Sequence, residues 1–132
     1  MDIKVSQEQG RVPVTVFHIT GEIDHGTAGQ LQNQALQAIE AGMHNLLLDL
    51  TKVPYVSSAG IRAFMIIFNR LRSDSPQEND AAINRGLRDG TYKSLHLKLI
   101  NSTPPVAEAL KTAGVDMLLE THTHLKEAVA SF

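Results

Sequence analysis

The chain of 132 residues has the length of a single folded domain, because most domains contain about 100–150 residues. Hydrophobic residues form 42% of the sequence and charged residues 20%, as in ordinary globular proteins, so the chain can bury a core. The formal net charge of −2 and the absence of any Lys/Arg cluster argue against direct nucleic-acid binding. The absence of Cys excludes disulfides, thiolate metal sites and a Cys nucleophile.

Hydropathy gives no indication of a membrane protein. No apolar run approaches the roughly 18 residues that a membrane-spanning helix needs. The first residues, Met1 to Lys4, do not resemble a secretory signal. We therefore expect a soluble, cytoplasmic protein that does not enter a membrane.

The N-terminal third predicts a β-hairpin followed by a helix. Residues 3–5 and 12–19 alternate between apolar and polar positions with many β-branched side chains, which is typical of strands. Pro13 lacks an amide donor, so it belongs near a strand start or on a sheet edge. Apolar residues at helical spacing predict a helix over residues 28–39, which Gly42 ends.

The middle of the chain predicts a buried strand, a helix and a polar segment. Residues 45–50 contain a continuous apolar run, which indicates a strand buried on both faces and parallel to the preceding one. An apolar stripe at spacings of three and four predicts a helix from Ser57-Ser58 to Arg72. Residues 73–90 are polar, and we expect a long loop there, with a helical turn around residues 81–87.

The C-terminal part predicts two further strands and two helices. Strands are expected at residues 95–99 and 117–119, and helices at 103–113 and 125–132. The resulting order is β-β-α-β-α-β-α-β-α. We therefore predict a single α/β domain over residues 1–132, with a mostly parallel sheet of four to five strands, an antiparallel N-terminal strand and four helices.

Two serines follow the predicted buried strand and begin a helix, and this segment is the strongest candidate for a functional site. Sites in such sheets lie outside the carboxyl ends of the strands. A phosphate on Ser57 or Ser58 would be favoured by the free amides and the dipole of the helix N-terminus. Both serines are equally explained as ordinary helix caps, which are common. In the preceding loop, Asp24 or Thr27 is a candidate cap of the first helix.

Four short motifs, in this order and spacing, resemble the STAS domains of bacterial anti-sigma factor antagonists. Gly21-Glu22-Ile23-Asp24 is similar to the family's Gly-Glu-Leu/Ile-Asp segment. Ser57-Ser58-Ala59-Gly60-Ile61 is similar to its phosphorylation loop, Asp-Ser-Ser/Thr-Gly followed by Leu or Ile. Thr103-Pro104-Pro105-Val106 and Ala113-Gly114-Val115 resemble the start and end of its third helix. The resemblance covers nearly the whole chain, apart from a polar insertion at residues 73–90.

The resemblance implies a STAS-like fold and a signalling role without catalysis. Family members bind an anti-sigma factor that is also a Ser/Thr protein kinase, and this binding frees a sigma factor. The kinase releases the antagonist by phosphorylating it, and a phosphatase resets it. By position Ser58 is the acceptor, with Ser57 as the second choice, and Asp24 matches an acidic residue near the acceptor loop. The implied partner surface consists of Glu22, Asp24, His25, Tyr55, Ser57, Ser58, Ala59, Gly60 and Arg62.

Two positions depart from the family pattern. Ser57 stands where the motif has Asp, and Ala59 stands where it has its second Ser or Thr. The alternative interpretation is therefore a constitutive STAS binding or scaffold module, in a stressosome-like or transporter-associated complex, that is not phosphorylated. A homodimer is compatible with either interpretation.

Other site chemistries find little support in the sequence. A Ser hydrolase would need a Gly-x-Ser-x-Gly elbow, and a nucleotide-binding enzyme would need a Gly-rich phosphate loop; neither is present. His122 and His124 lie too close in sequence to face each other on a helix. We interpret His18 and His96 as ordinary sheet-face residues. His25, beside Asp24, is interpreted as an exposed turn residue, with a loop ligand or a pH-sensitive contact as the alternative. Asp49 either points to a site or bonds a loop amide. No catalytic residue, cofactor or metal ligand is predicted.

Overall fold

The computed structural model describes residues 1–73, 75 and 78–132. These residues form a sheet of five strands with helices on both faces. The strands are β1 (Asp2–Gln9), β2 (Pro13–Thr20), β3 (Leu46–Lys52), β4 (Leu97–Ile100) and β5 (Thr121–His122). The helices are α1 (Ala28–Glu40), α2 (Ser58–Ser73), α3 (Asp80–Asp89), α4 (Pro104–Thr112) and α5 (Leu125–Ala130).

The strands lie side by side in the order of the sequence, β1-β2-β3-β4-β5. β1 and β2 form an antiparallel hairpin, and each later strand is parallel to the one before it. Pro13 is the first residue of β2, where a missing amide donor is tolerated. The predicted fold class, a mostly parallel sheet with an antiparallel N-terminal strand, is confirmed.

Both faces of the sheet are covered, as the continuous apolar run in β3 predicted. Leu46, Leu47 and Leu48 are all fully buried although successive side chains point to opposite faces. One face packs against α1, α2 and α4 through Phe17, Ile19, Leu46, Leu48, Leu50, Leu97 and Leu99. The other face packs against α5 through Val14, Val16, Leu47, Ile100, Ala128 and Val129.

A buried lysine fastens α5 to the sheet. The Lys98 ammonium group donates to the Ser131 carbonyl at 2.9 Å and lies 3.0 Å from the Glu120 carboxylate. It also lies 5.0 Å from the centre of the Phe132 ring. A buried charge is tolerated only when it is paired and hydrogen-bonded, and Lys98 meets both conditions.

The polar segment predicted as a loop contains a helix, so residues 1–73, 75 and 78–132 form five α-helices where the sequence predicted four. The Asn79 side chain caps α3 by accepting a hydrogen bond from the Ala82 amide at 2.9 Å, and Gly90 ends the helix with φ +71°. Ile83 enters the core and Leu87 packs against it. The sequence predicted only a helical turn at residues 81–87, because only these two large apolar residues mark the inner face of α3. Residues 74, 76 and 77 of the predicted loop lie outside the described part of the chain.

The last strand was predicted at the wrong place. Val115–Met117 forms a 3-10 turn after Gly114, whose φ is +76°, and Met117 is exposed. The strand begins only at Thr121, where it pairs with β4 at Leu99. The left-handed glycine reverses the chain, and a further turn is needed before it can rejoin the sheet.

A buried carboxylate organises the chain between α2 and β4. Glu78 is 2% exposed, and its Oε1 accepts hydrogen bonds from the Tyr92 hydroxyl at 2.8 Å and the Leu95 amide at 2.9 Å. Burial and the bond to Glu78 raise the pKa of the Tyr92 hydroxyl well above its ordinary value. Tyr92 in turn packs edge-on against Phe68 of α2, so one carboxylate holds both flanks of α3.

None of the described helices combines the length and the apolar character needed to span a lipid bilayer.

We predict that Glu78→Ala lowers the free energy of unfolding by about 1–3 kcal/mol, because a buried hydroxyl and a buried amide lose their acceptor. Glu108→Ala, on the exposed side of α4, is the matched control and should change stability by less than about 0.5 kcal/mol. Urea unfolding followed by circular dichroism measures both. Equal stability of the two variants would contradict the role assigned to Glu78.

Candidate functional site

The site is assembled from loops at the carboxyl ends of β2, β3 and β4. Residues 21–27 lead from β2 to α1, residues 53–57 from β3 to α2, and residues 101–103 from β4 to α4. The Thr103 hydroxyl donates to the Val53 carbonyl at 2.7 Å, which fixes the loop before α2 from the side of α4. The predicted position of the site, outside the carboxyl ends of parallel strands, therefore holds three adjoining loops.

Two of these loops are joined by a short parallel bridge between Ile23 and Val56. The Ile23 amide donates to the Tyr55 carbonyl at 3.0 Å, and the Ser57 amide donates to the Ile23 carbonyl at 2.9 Å. Both bridging side chains are buried, Ile23 at 0% and Val56 at 2% exposure. The two motifs on which the family resemblance depends are thus held against each other by backbone hydrogen bonds.

Gly60 lets the first turn of α2 lie directly on this bridge. A Cβ atom at position 60 would stand 2.7 Å from the Ile23 carbonyl oxygen and 2.8 Å from the Val56 Cγ1. These distances are shorter than carbon contacts allow, and backbone atoms cannot move aside without breaking the bridge. Any side chain at position 60 therefore pushes α2 away from the loop that carries Asp24.

We predict that Gly60→Ala lowers the free energy of unfolding by about 1–3 kcal/mol, the usual range for overpacking. Gly29→Ala in α1 is the matched control, because a Cβ there meets nothing within 4 Å. Its better helix propensity should leave stability unchanged or raise it by up to about 1 kcal/mol. Thermal and urea unfolding measure both variants. A Gly60→Ala protein as stable as the parent would contradict the close contact.

The two adjacent serines have different environments. Ser57 caps α2, since its hydroxyl oxygen accepts a hydrogen bond from the Gly60 amide at 3.3 Å. Ser58 is the first residue of α2, is exposed, and makes no side-chain hydrogen bond with any residue in the described part of the chain. The cap interpretation therefore holds for Ser57, and the hydroxyl of Ser58 remains free for other chemistry.

The start of α2 is favourable for negative charge. The first amides of a helix have no acceptor within the helix and carry its positive dipole end, and the first turn of α2 contains no acidic residue. Arg62 is exposed and follows Ser58 by four residues, so the two side chains share one helix face. A phosphate on Ser58 would meet free amides on one side and a guanidinium on the other.

Asp24 organises its own turn and does not cap α1. Its Oδ1 accepts a hydrogen bond from the Gly26 amide at 2.9 Å, and this bond is the main reason that the pKa of Asp24 is lowered. Thr27, the residue before α1, donates its hydroxyl to the Glu22 carbonyl at 2.9 Å and makes no side-chain bond to the helix amides. The expected side-chain cap is therefore absent, and the carboxylate stays charged beside the bridge.

The predicted partner residues differ in how much surface they offer. Glu22, His25, Tyr55, Ser58 and Arg62 are exposed; Asp24, Ser57 and Ala59 are partly buried; Gly60 is buried. Tyr55 is 49% exposed, a large fraction for an aromatic side chain. Gly60 thus contributes to the site by positioning α2 on the bridge, not by presenting a surface.

A polar cluster of His18, Asp49 and Ser6 on the α5 face of the sheet was not predicted. His18 Nδ1 lies 2.7 Å from the Asp49 carboxylate, and His18 Nε2 lies 2.9 Å from the Ser6 hydroxyl. Burial raises the pKa of Asp49, but hydrogen bonds from Thr51 and His18 outweigh it and lower the pKa overall. Asp49 bonds the Thr51 amide at 3.1 Å, as one of the two sequence interpretations expected. Strand alternation could have placed His18 and Asp49 on one face, but register was needed to pair them.

No three His, Asp or Glu side chains among the described residues converge in a way that could hold a metal ion. His122 lies in β5 with its ring 3.4 Å from the Glu120 carboxylate, whereas His124 is the residue before α5. The pair considered in the sequence is therefore divided between a strand and a helix start.

Comparisons with known proteins agree with this architecture. The family model of the STAS domain matches residues 4–76, which include most of β1, all of β2, β3, α1 and α2, and the two joined loops. A Bordetella bronchiseptica protein, BtrV, named as an anti-sigma factor antagonist, is 26% identical over 98 residues, 72% of this chain and 84% of that protein.

Solved structures show the same fold. An anti-sigma factor antagonist from Mycobacterium paratuberculosis superposes with a TM-score of 0.70 at 18% identity, covering 98% of this chain and 93% of that one. Bacillus SpoIIAA in its phosphorylated form gives a TM-score of 0.65 at 12% identity, covering 97% of this chain and 96% of that one. Because the family model spans more than half of the sequence and the whole fold agrees, the chain belongs to the STAS domain family.

Proposed function

We propose that this STAS domain is an anti-sigma factor antagonist that binds an anti-sigma factor with Ser/Thr protein kinase activity and is released by phosphorylation of Ser58. The binding surface is the exposed part of the joined loops and the start of α2. The domain itself catalyses no reaction; the kinase phosphorylates it and a phosphatase resets it, and all three act in the cytoplasm.

One observation supports the proposal most directly: Ser57 caps α2, whereas the Ser58 hydroxyl is exposed. Ser57 holds the helix start through Gly60, so Ser58 can gain or lose a phosphate without losing the cap. Phosphorylation adds about −1.5 to −2 charges at neutral pH. The modified residue is the first of α2, where the backbone conformation need not change and the free amides can donate hydrogen bonds to the phosphate.

The charge pattern explains how a phosphate would release a partner. Glu22 and the ionised Asp24 already make the adjoining loop negative. A partner bound here would cover the neutral hydroxyl of Ser58 together with this acidic loop and would exclude water around Tyr55. Exposed aromatic side chains of this kind are often the main contributors to binding energy. A phosphate on Ser58 would have to be desolvated in such an interface, and where the partner presents no cation opposite Ser58 the complex loses affinity.

We predict that Ser58→Asp weakens binding to the cognate anti-sigma factor at least about tenfold, because the carboxylate must be desolvated in the interface, whereas Ser58→Ala preserves binding. Ser73→Asp is the matched control, since it places the same charge at the far end of α2, about 22 Å away. Titration calorimetry against the purified partner measures all three. Equal affinities of Ser58→Asp and the parent would contradict the switch.

Incubation with ATP and the kinase, followed by intact-mass measurement and site mapping, tests the modification itself. We expect one phosphate, on Ser58 and absent from Ser58→Ala. If a stable complex forms and no phosphate is added, the constitutive scaffold function in a stressosome-like or transporter-associated complex replaces the proposal. The substitution of the motif's Asp by Ser57 is the observation that favours this second function.

A further inference from the structure

The outer edge of β1 is open. β1 is eight residues long and stands at one end of the sheet, and within the described ranges it pairs with β2 alone. Open edges of this length are templates for pairing with another chain. The strand contains no proline or glycine that would interrupt such pairing.

The hydrogen-bonding groups that face this edge can be identified from the register. The Thr15 amide donates to the Asn45 carbonyl at 2.9 Å, so the backbone of Thr15 is directed away from β1. Gln7 lies directly opposite Thr15, and Val5 lies opposite Phe17. In an antiparallel pair of strands, two opposed residues either exchange backbone hydrogen bonds with each other or both direct their backbone N–H and C=O groups away from the partner strand. The amides and carbonyls of Val5 and Gln7 therefore point to the open edge.

The same edge borders an apolar groove. Val5 is 49% exposed and, together with Gln7, Phe17, Gln34, Ala38 and Met43, it lines a groove of about 620 Å³ between β1 and α1. No charged side chain is among the described residues that line the groove. A strand added to β1 would cover Val5 on this side of the sheet.

We propose that β1 pairs antiparallel with β1 of a second copy of this chain, with Ser6 opposite Ser6 across the two-fold axis. In this register Lys4 faces Glu8 of the second copy, and Glu8 faces Lys4. Val5 and Gln7 face each other across the edge and exchange the outward backbone hydrogen bonds. The two sheets become one continuous sheet.

Charge selects this register from its neighbours. Lys4, Ser6 and Glu8 share the α5 face, and neither Lys4 nor Glu8 forms an ion pair with a described residue. Shifting the axis to Val5 would place Asp2 opposite Glu8, two like charges. Shifting it to Gln7 would place Lys4 opposite Gly10 and leave both charges unpaired. Opposite-charge cross-strand pairs stabilise a sheet, whereas like charges destabilise it.

A charge exchange tests the proposal. Sedimentation velocity of the full chain from micromolar to millimolar concentration should show a monomer–dimer equilibrium. Lys4→Glu and Glu8→Lys should each raise the dimer dissociation constant about tenfold or more, because each creates two like-charge pairs. The double variant Lys4→Glu/Glu8→Lys restores both pairs and should return the constant to near the parent's. A parent that stays monomeric, or a double variant no better than the singles, would overturn it.

Cross-linking tests the register independently, because the chain has no Cys. Ser6 bonds inward to β2, so the Ser6 pair across the axis has Cα atoms about 4.5 Å apart, within the range of a disulfide. Under mild oxidation Ser6→Cys should form a covalent dimer, whereas Gln9→Cys, which faces Ile3 of the second copy, should not. Cross-linking of Cys at position 9 and not at position 6 would refute the register. Neither experiment involves Ser58, so their failure leaves the proposed function untouched.

Discussion

The candidate site depends on the parallel bridge between Ile23 and Val56. The pairing of β2 with β3 is interrupted by a register shift after His18, and the bridge resumes it beyond the ends of both strands. Without it, the loops before α1 and α2 would be two independent segments with separate entropic costs of ordering. With it, backbone hydrogen bonds join the two loops, and Gly60 lets α2 approach them at a distance that no residue with a Cβ allows. The orientation of Ser58 towards solvent follows from this contact.

The substitution of Ser57 for the Asp of the family motif has a physical consequence. Either residue can cap a helix, but an Asp would bring a carboxylate to the positive end of α2. With Ser57 as the cap, the first turn of α2 contains no acidic side chain, and its dipole is not offset within the helix. A phosphate on Ser58 would therefore meet less repulsion from its own helix than in a protein with the family's Asp. Asp24, whose pKa is lowered, lies in the loop on the other side of the bridge.

The sequence correctly predicted the strands and helices that have a regular pattern of apolar residues. It missed those whose position depends on single polar contacts. The alternation in β2, the apolar run of β3 and the stripe of α2 each reflect burial of many side chains, so periodicity was enough. α3 buries only Ile83 fully, and its position depends on Glu78, which bonds Tyr92 and the Leu95 amide across the fold. In the site, the division of tasks between Ser57 and Ser58 could not be predicted, because either serine could have been the cap. His18 and Asp49 were named singly, since a pair across two strands requires the register.

The open edge of β1 and the candidate site lie on different parts of the molecule but share one contact. The side chains of Lys4, Ser6 and Glu8 are on the α5 face, whereas α2 covers the opposite face, so a partner bound at Ser58 and a second copy bound at β1 need not collide.

The start of β1 nevertheless lies beside the site: a Cβ at Gly21, whose φ is +105°, would stand 3.3 Å from the Met1 Cα. Gly21 also donates its amide to the Lys52 carbonyl at 3.0 Å, one step before the bridge. Pairing of β1 that orders its first residues would therefore also hold the loop on which Asp24 and the bridge depend. A dimer would therefore reduce the mobility of the partner surface. The conformational entropy lost on dimerisation would then not be lost again when the partner binds.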